Sequence, residues 1–557
     1  MSDPDQQAPE GVTRAGRREW TGLAVLALAC LLYAMDLTVL HLAVPSLSAD
    51  LQPSSSQLLW ITDIYGFMVA GFLITMGTLG DRIGRRRLLL AGAAAFGVVS
   101  VLAALSTSPE MLIASRALLG IAGATLAPST LSLIFTMFQD PGQRTTAIGI
   151  WITSFSAGGA IGPVLGGVLL ERFWWGSVFL LALPVMAVLL LLGPRVLPEY
   201  RAPDAGRLDP VSAAMSLVAV LAVVFGLKLV AQDGIGALAA CAVLVGLVVG
   251  VGFVRRQLRL ADPMIDLGLF RIGAFNAALA TNLLGIFIVV GYFLFVAQYL
   301  QLVLGLSPLE AGLWSLPSAG GFIVGSNLAP RILRRVRPAY VIGAGLAMAA
   351  VGLGVLTQVG GSPNADLAIL AGASLIVSLG LAPVFTATTD LIVSSAPPER
   401  AGAASGISET GAELGGALGI AILGSIGVAV YRGELATTLP AGIPSQAAMA
   451  ARDTLGGAVS VAQQLPADVG AAVLAAAREA FTLGLQLTTA ISAVVAIGIA
   501  VLATVLLRGV HAPSEAEPTE PETVVQAEEP VQLIRSGGGC VACPGEQRPA
   551  AAEVRAP

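Results

Sequence analysis

The chain is poor in charge. Of its 557 residues only 12% are Asp, Glu, Lys or Arg, about half the share of a soluble globular protein. Most side chains must therefore meet lipid or other apolar side chains. Lysine is almost missing: Lys228 is the single one and every other basic residue is Arg, a bias that by itself implies no mechanism. Histidine is nearly as rare. His41 and His511 do not make a metal cluster, and no Ser–His–Asp set is readable. There is no Walker A run and no ATPase domain, so any pumping must draw on an ion gradient. GAELGGALG, residues 411–419, is not a dinucleotide loop, because it lies inside an apolar span with no preceding strand. No cofactor or metal is expected. Cys30 and Cys241 sit in apolar helices as small hydrophobes. Cys540 and Cys543 form a lone CVAC in a Gly-rich tail, which is a weak metal or redox signal.

What is present is length of apolar sequence. The chain is 55% hydrophobic with a mean hydropathy of +0.83. A bilayer core needs about 20 apolar residues per helix. Fourteen segments qualify: 20–43, 57–79, 86–106, 110–136, 145–169, 175–193, 210–231, 236–254, 273–300, 309–330, 338–358, 366–393, 401–429 and 479–507. The first is too long for a signal-peptide core and lacks a small-residue cleavage site, so it is read as an uncleaved span. Arginines collect in alternate loops: Arg17 and Arg18; Arg82, Arg85, Arg86 and Arg87; Arg195, Arg201 and Arg207; Arg255, Arg256, Arg259 and Arg271; Arg331, Arg334, Arg335 and Arg337. Loops 44–56, 301–308 and 359–365 carry no Lys or Arg. The arginine side is expected to be cytoplasmic, with both termini on that side of a cell (inner) membrane. The net charge of -5 sits largely in the two tails. It says little about partners, and no nucleic acid is expected.

The run GTLGDRIGRRRLLL (77–90) after span 2 has an echo in GSNLAPRILRRVRP (325–338) after span 10. Repeats of this kind mark secondary transporters, whose binding site lies near the midplane between the halves. The expected division is a cytoplasmic tail (1–19), a six-helix half (20–193) and a linker carrying two inserted spans (194–272). A second half follows (273–508), with an extracellular loop at 430–478, and the chain ends in a disordered, Pro- and Glu-rich cytoplasmic tail (509–557).

In GTLGDRIGRRR, Gly77 lets helices approach closely and Gly84 permits a tight turn between spans 2 and 3. Asp81 can pair with an arginine or cap a neighbouring helix, and such ties can hold one state of a rocking bundle. The full spacing resembles the loop signature of the major facilitator superfamily. That resemblance implies a major facilitator fold: an all-α integral membrane protein with fourteen transmembrane helices, two six-helix halves plus two inserted helices. It also implies that Gly77, Asp81, Arg82, Gly84, Arg85 and Arg86 gate the change between inward- and outward-open states. Span 4, with Arg116, Gly120 and Gly123, is similar to the family's motif there, although Leu119 stands where a Gln is usual. Span 5 carries Gly158, Gly162, Pro163, Gly166 and Gly167. Its glycines make a smooth packing face, Pro163 kinks the helix, and GxxxGPxxGG is similar to the family's antiporter motif.

Span 1, from Leu32 through Asp36 to Pro45, and span 2, with Trp60, Asp63, Tyr65 and Gly66, resemble the fourteen-span drug:proton antiporters of quaternary-ammonium type. An Asp at the bilayer centre costs about 3 kcal/mol to insert, so Asp36 needs a function or a partner. Arg116 lies at a matching depth; its alternative is a snorkelling surface arginine. Glu409 and Glu413 on span 13 are spaced i, i+4 and share a helix face. Two carboxylates so close repel when both are charged, so one can hold a proton until a cation arrives. Their alternative is a structural bond to Ser or backbone. Aromatic candidates for a lipophilic cation are Trp60, Tyr65, Trp151, Phe155, Tyr292, Phe295, Tyr299 and Trp314, each of which is otherwise simply core. Span 10 has no acid between Leu316 and Gly325, which favours monovalent cargo.

The expected function is export of lipophilic cations in exchange for protons, by a monomer whose other partners are protons and membrane lipid. Asp36 and Arg116 would couple the proton, and Asp63, Glu409 and Glu413 would attract the cation. The alternatives are an exporter of an endogenous lipid, siderophore or antibiotic, and a membrane sensor or assembly partner without transport.

Overall fold

A computed structural model describes residues 14–53, 55–201, 209–234, 236–260, 263–397, 400–440 and 443–509. The expectations for residues 1–13, the CVAC pair and the tail from 510 lie outside these. The described residues belong to one unit, Met1–Glu515, and include no strand. In chain order the helices are α1 (Arg17–Leu51), α2 (Ser55–Ile83), α3 (Arg85–Ala104), α4 (Pro109–Gly123), α5 (Leu126–Met137), α6 (Pro141–Arg172), α7 (Ser177–Leu180) and α8 (Ala182–Val196). Next come α9 (Pro210–Asp233) and α10 (Ala237–Gln257), then α11 (Gly273–Gln298), α12 (Pro308–Leu333), α13 (Pro338–Leu356) and α14 (Pro363–Ser394). The last are α15 (Ala401–Gly419), α16 (Ser425–Thr438), α17 (Ser445–Asp453), α18 (Leu455–Ala462) and α19 (Ala467–Leu506). Two π-helical turns, Tyr299–Val303 and Ile420–Gly424, continue α11 and α15.

Many starts are set by a polar cap followed by proline. Ser108 accepts from Met111 N ahead of Pro109, Asp140 from Gln143 N ahead of Pro141, and Ser362 from Ala365 N ahead of Pro363. At α12, Ser307 and Glu310 form a reciprocal capping box around Pro308. The proline lacks only an N–H that a first turn cannot use, and the side chain satisfies one that it cannot pair. Between α2 and α3 the chain turns at Gly84 with φ of +113°, a region that disfavours any side chain. Span 4 is broken into α4 and α5 around Ala124 and Thr125, just ahead of Pro128, which cannot bond the carbonyl four residues back.

Helices α1 to α8 pack mainly with one another, and so do α11 to α19; α9 and α10 pack on each other. The first two sets meet where α2 and α5 touch α15, and where α6 touches α12 and α14. Among the described residues, twelve helical stretches are long and apolar enough to cross a membrane. The other two of the fourteen expected spans are α6 and α12, helices of 32 and 26 residues. Their Thr, Ser and Asn face each other across the seam: Thr153 Oγ1 lies 2.7 Å from Ser326 Oγ and accepts from Asn327 Nδ2 at 2.8 Å. The α6 helix runs through Pro163 without interruption. Segment 430–478, expected as an extracellular loop, is not irregular where it is described. It is mostly helix, tied by Tyr431 Oη to Ala451 O at 2.7 Å and by Arg432 to Asp453 at 2.8 Å.

Candidate functional site

Helices α1 and α4 bring Asp36 and Arg116 together. Arg116 Nη1 donates to Asp36 Oδ2 at 2.6 Å, and Nε donates to the Ile61 carbonyl at 3.3 Å. Its guanidinium carbon lies 4.7 Å from the centroid of the Tyr65 ring, a favourable cation–π position. Arg116 is only 1% exposed, so it does not snorkel. The insertion cost of the acid is offset by a neighbouring cation that is itself held by the Ile61 carbonyl.

Glu409 and Glu413 are half-buried on α15 and look toward α1. Tyr33 lies within electrostatic reach of both Glu413 and Glu409, and Cys30 within reach of Glu409. Behind Tyr33 stands an aromatic wall. Phe155 meets Tyr33 edge-on at 5.8 Å and Trp151 at 4.7 Å; Tyr65 lies 6.1 Å from Tyr33. Trp151 Nε1 is satisfied by Thr130 Oγ1 at 3.0 Å, which also meets Cys30 Sγ at 3.5 Å. Tyr65, Trp151 and Phe155 thus share one wall opposite the acids.

The remaining expected cargo residues are placed differently. Asp63 is occupied: Lys228 Nζ of α9 sits 3.0 Å from its Oδ2. Trp60 stacks on Phe225 of α9 at 6.4 Å, with Phe67 edge-on to both. Tyr292 lines a small pocket among α11, α12 and α14 with Phe293, Trp314, Ser318 and Ser374. Tyr299 donates to Asp366 at 2.7 Å, and Phe295 packs on Phe481. These serve the α11–α19 bundle. Sequence reasoning missed Tyr33 and Lys228 as site residues. The signal for Lys228 was its presence in an otherwise apolar span, where an ionisable residue is a functional candidate by default.

The arginine side holds a second constellation. Asp81 accepts from the backbone N–H of Gly402 at 3.1 Å and of Ala403 at 2.9 Å, at the N-terminus of α15. It also pairs with Arg85 Nε at 3.0 Å. Asp81 therefore does both things its sequence position allows. The approach demands glycine: a Cβ on Gly402 would strike Asp81 Oδ1, and one on Gly77 would strike the Gly402 carbonyl. Arg85 Nη1 continues to Ser132 O at 3.1 Å and Thr136 Oγ1 at 2.9 Å. Arg82 is buried beside it, and Arg86 donates to Leu197 O at 3.0 Å. A second tie, absent from the sequence reading, joins Arg144 Nε to Asp390 Oδ1 at 3.4 Å, with Thr145 Oγ1 donating to Oδ2 at 3.0 Å. The span 5 motif packs α6 on α1: a Cβ on Gly158 would meet the Leu31 carbonyl, and Gly162 and Gly166 are buried. Among the described residues, no group of three or more His, Cys, Asp or Glu is placed to hold a metal.

Residues 26–420 match the family model described as Major Facilitator Superfamily. Among curated proteins the chain is similar to the multidrug efflux pump LfrA of Mycolicibacterium smegmatis, 45% identical over 496 residues, covering 89% of this chain and 98% of that one. It is also similar to the methyl viologen resistance protein SmvA of Salmonella typhimurium, 37% identical, covering 83% and 93%. Among solved structures, the human organic anion transporter MFSD10 superposes with a TM-score of 0.58 at 17% identity, covering 88% of this chain and 99% of that one; this likeness concerns the fold.

Proposed function

Because the chain belongs to the major facilitator superfamily, and is thus a multi-pass membrane transporter rather than an enzyme, we propose that it exports lipophilic, quaternary-ammonium-like cations in exchange for protons. In this reading it crosses the cell membrane fourteen times, as two six-helix halves with an inserted pair, and keeps its arginine side in the cytoplasm. The observation that carries the cargo class is the pair Glu409 and Glu413, facing a wall built by Tyr33, Tyr65, Trp151 and Phe155. A flat, poorly hydrated cation gains from aromatic faces and from carboxylates at once. Two relatives, a multidrug efflux pump and a methyl viologen resistance protein, support the same kind of activity.

Protons enter from outside and reach Asp36, which Arg116 contacts at 2.6 Å. Proton and cargo need not share an acid. Each has only to bind the two conformations unequally, and exchange follows by linkage. The conformation described here has its arginine side tied shut through Asp81 and Arg144. Transport requires those ties to break and re-form as the halves rock.

Everted membrane vesicles provide the test. With a preset proton gradient, adding ethidium or a quaternary ammonium compound is expected to dissipate the gradient. A gradient that never responds removes the exporter reading and leaves a sensor or assembly role. A neutral or anionic cargo, as in export of the cell's own lipid, siderophore or antibiotic, would survive Glu→Gln at both 409 and 413.

A further inference from the structure

Lys228 is the only lysine in the chain, and it stands on the inserted helix α9. That helix straddles the seam between the bundles: it packs on α2 from one side and on α15 and the π-helical turn Ile420–Gly424 from the other. Its grip on α2 is specific. Phe225 joins Trp60 and Phe67 in a three-ring cluster, and one turn further along α9 the ammonium of Lys228 meets Asp63 at 3.0 Å. Lys228 also lies within electrostatic reach of Glu413 on α15. The pair is not sealed away, since the side chains of Lys228 and Asp63 are 31% and 39% exposed. A small ammonium on a four-carbon stem therefore sits beside the acids of the cargo site, close to aromatic rings, with room to move.

We propose that Lys228 is a tethered counter-cation: it neutralises Asp63 and faces Glu413 in the empty protein, and a cationic cargo displaces it. This rests on the cation-export reading. Ligand-free acids in a low-dielectric seam repel one another, and an intramolecular cation relieves that repulsion. A cargo that brings its own charge and more apolar surface can take its place. Lys228 then sets specificity by competition. It raises the charge and hydrophobicity a molecule needs before it binds, and it couples cargo arrival to a shift of α9 against α2.

The single lysine makes the displacement directly readable. The purified full-length wild-type protein is acylated with N-acetoxysuccinimide, with and without saturating ethidium, and the Lys228 peptide is followed by mass spectrometry. Released from the Asp63 carboxylate that holds it at 3.0 Å, the amine is more open to the reagent, so ethidium is expected to accelerate acylation of Lys228. Unchanged or slowed acylation at saturation overturns the proposal while leaving the export reading intact. Failure of the wild type to bind ethidium at all overturns both. A second measurement is ethidium affinity by fluorescence anisotropy for Lys228→Met and Lys228→Arg. The methionine variant is expected to bind about tenfold more tightly, and the arginine variant to stay within about twofold of wild type. Weaker or equal binding by a monodisperse Lys228→Met protein overturns the proposal.

Discussion

The two ends of the seam between the bundles treat charge in opposite ways. On the arginine side, charges are consumed in ties from one bundle to the other: Asp81 on the N–H groups of α15, and Arg144 and Thr145 on Asp390. Midway across, Asp36 is matched by Arg116 inside a single bundle. There Asp63 and Glu413 share the charge of one lysine, and the neutral hydroxyl of Tyr33 faces Glu413. A tie whose donors and acceptors are all engaged is a latch. A set of acids with fewer cations than carboxylates is a place where a cation can arrive. In the proposed reading, the same physics of desolvated charge yields closure in one region and recognition in the other.

The largest effect should come from the acid matched within its own bundle. Asp36→Asn keeps an acceptor for Arg116 but removes the site proposed to gain and lose a proton. Ethidium binding should persist, while the ethidium gradient maintained by vesicles should collapse by the coupling factor, about 5- to 150-fold. Full uphill export by this variant would remove Asp36 from the coupling role. Arg116→Ala is the harsher change, because it strands a carboxylate and breaks a buried pair, at a cost of about 3–5 kcal/mol. It should lower the unfolding temperature in detergent much more than Asp36→Asn does.

The second test sharpens the contrast by removing the surplus negative charge. Glu409→Gln with Glu413→Gln should weaken ethidium binding by about 10- to 100-fold, the range expected for losing nearby charges in a partly screened site. A neutral probe of similar shape should bind unchanged. Equal loss for both probes would mean that the glutamates support packing rather than attract charge.

The third test attacks the latch. Asp81→Asn weakens hydrogen bonds to a charged acceptor, each worth about 1.5–3 kcal/mol. The population should shift toward open on the arginine side. Gly402→Ala should do the same without any change of charge, because its Cβ would strike Asp81 and the Gly77 carbonyl. Spin labels at 87 and 335, in a background without cysteine, should report a longer distance in both variants, with ethidium affinity held within about threefold. If Asp81→Asn alone moves the distance, the helix cap matters only through its charge and the close approach is incidental.

The sequence made the bilayer architecture legible because apolar length and arginine placement are local signals. It made GTLGDRIGRRR legible because a positive-φ turn at Gly84 and a close approach at Gly77 leave few alternatives. The depth match of Asp36 and Arg116 could be read from helix rise alone, and the two meet at 2.6 Å. Other contacts were hidden because they depend on which helices become neighbours. Asp63 reads as a free acid until α9 swings Lys228 against it. Arg144 and Asp390 lie 246 residues apart, and neither stands in a recognisable motif. Tyr292 was chosen by residue type, yet faces a pocket within its own bundle. Segment 430–478 is largely helical where it is described, which suits its Ala and Gln, both good helix formers.

The smallest effect separates charge that senses pH from charge that only holds shape. Asp209 caps α9, accepting from Val211 N and Ser212 N, and pairs with Arg256 of α10 at 2.8 Å. The Ser212 hydroxyl and the Arg256 guanidinium pull its carboxyl down to about 2. A folded value below the unfolded one, about 3.9, means that its stabilisation is complete above the unfolded value and is lost only as pH falls through about 2. Between pH 5 and 8, roughly the range a proton antiporter experiences, it stays fixed. Asp209→Asn should therefore lower the unfolding temperature by the same small amount at every pH in that range, and leave the pH profile of ethidium export where it was. A shifted profile would place a proton-sensing group at the foot of the inserted hairpin, and would erase the distinction between the arginine side and the middle of the seam.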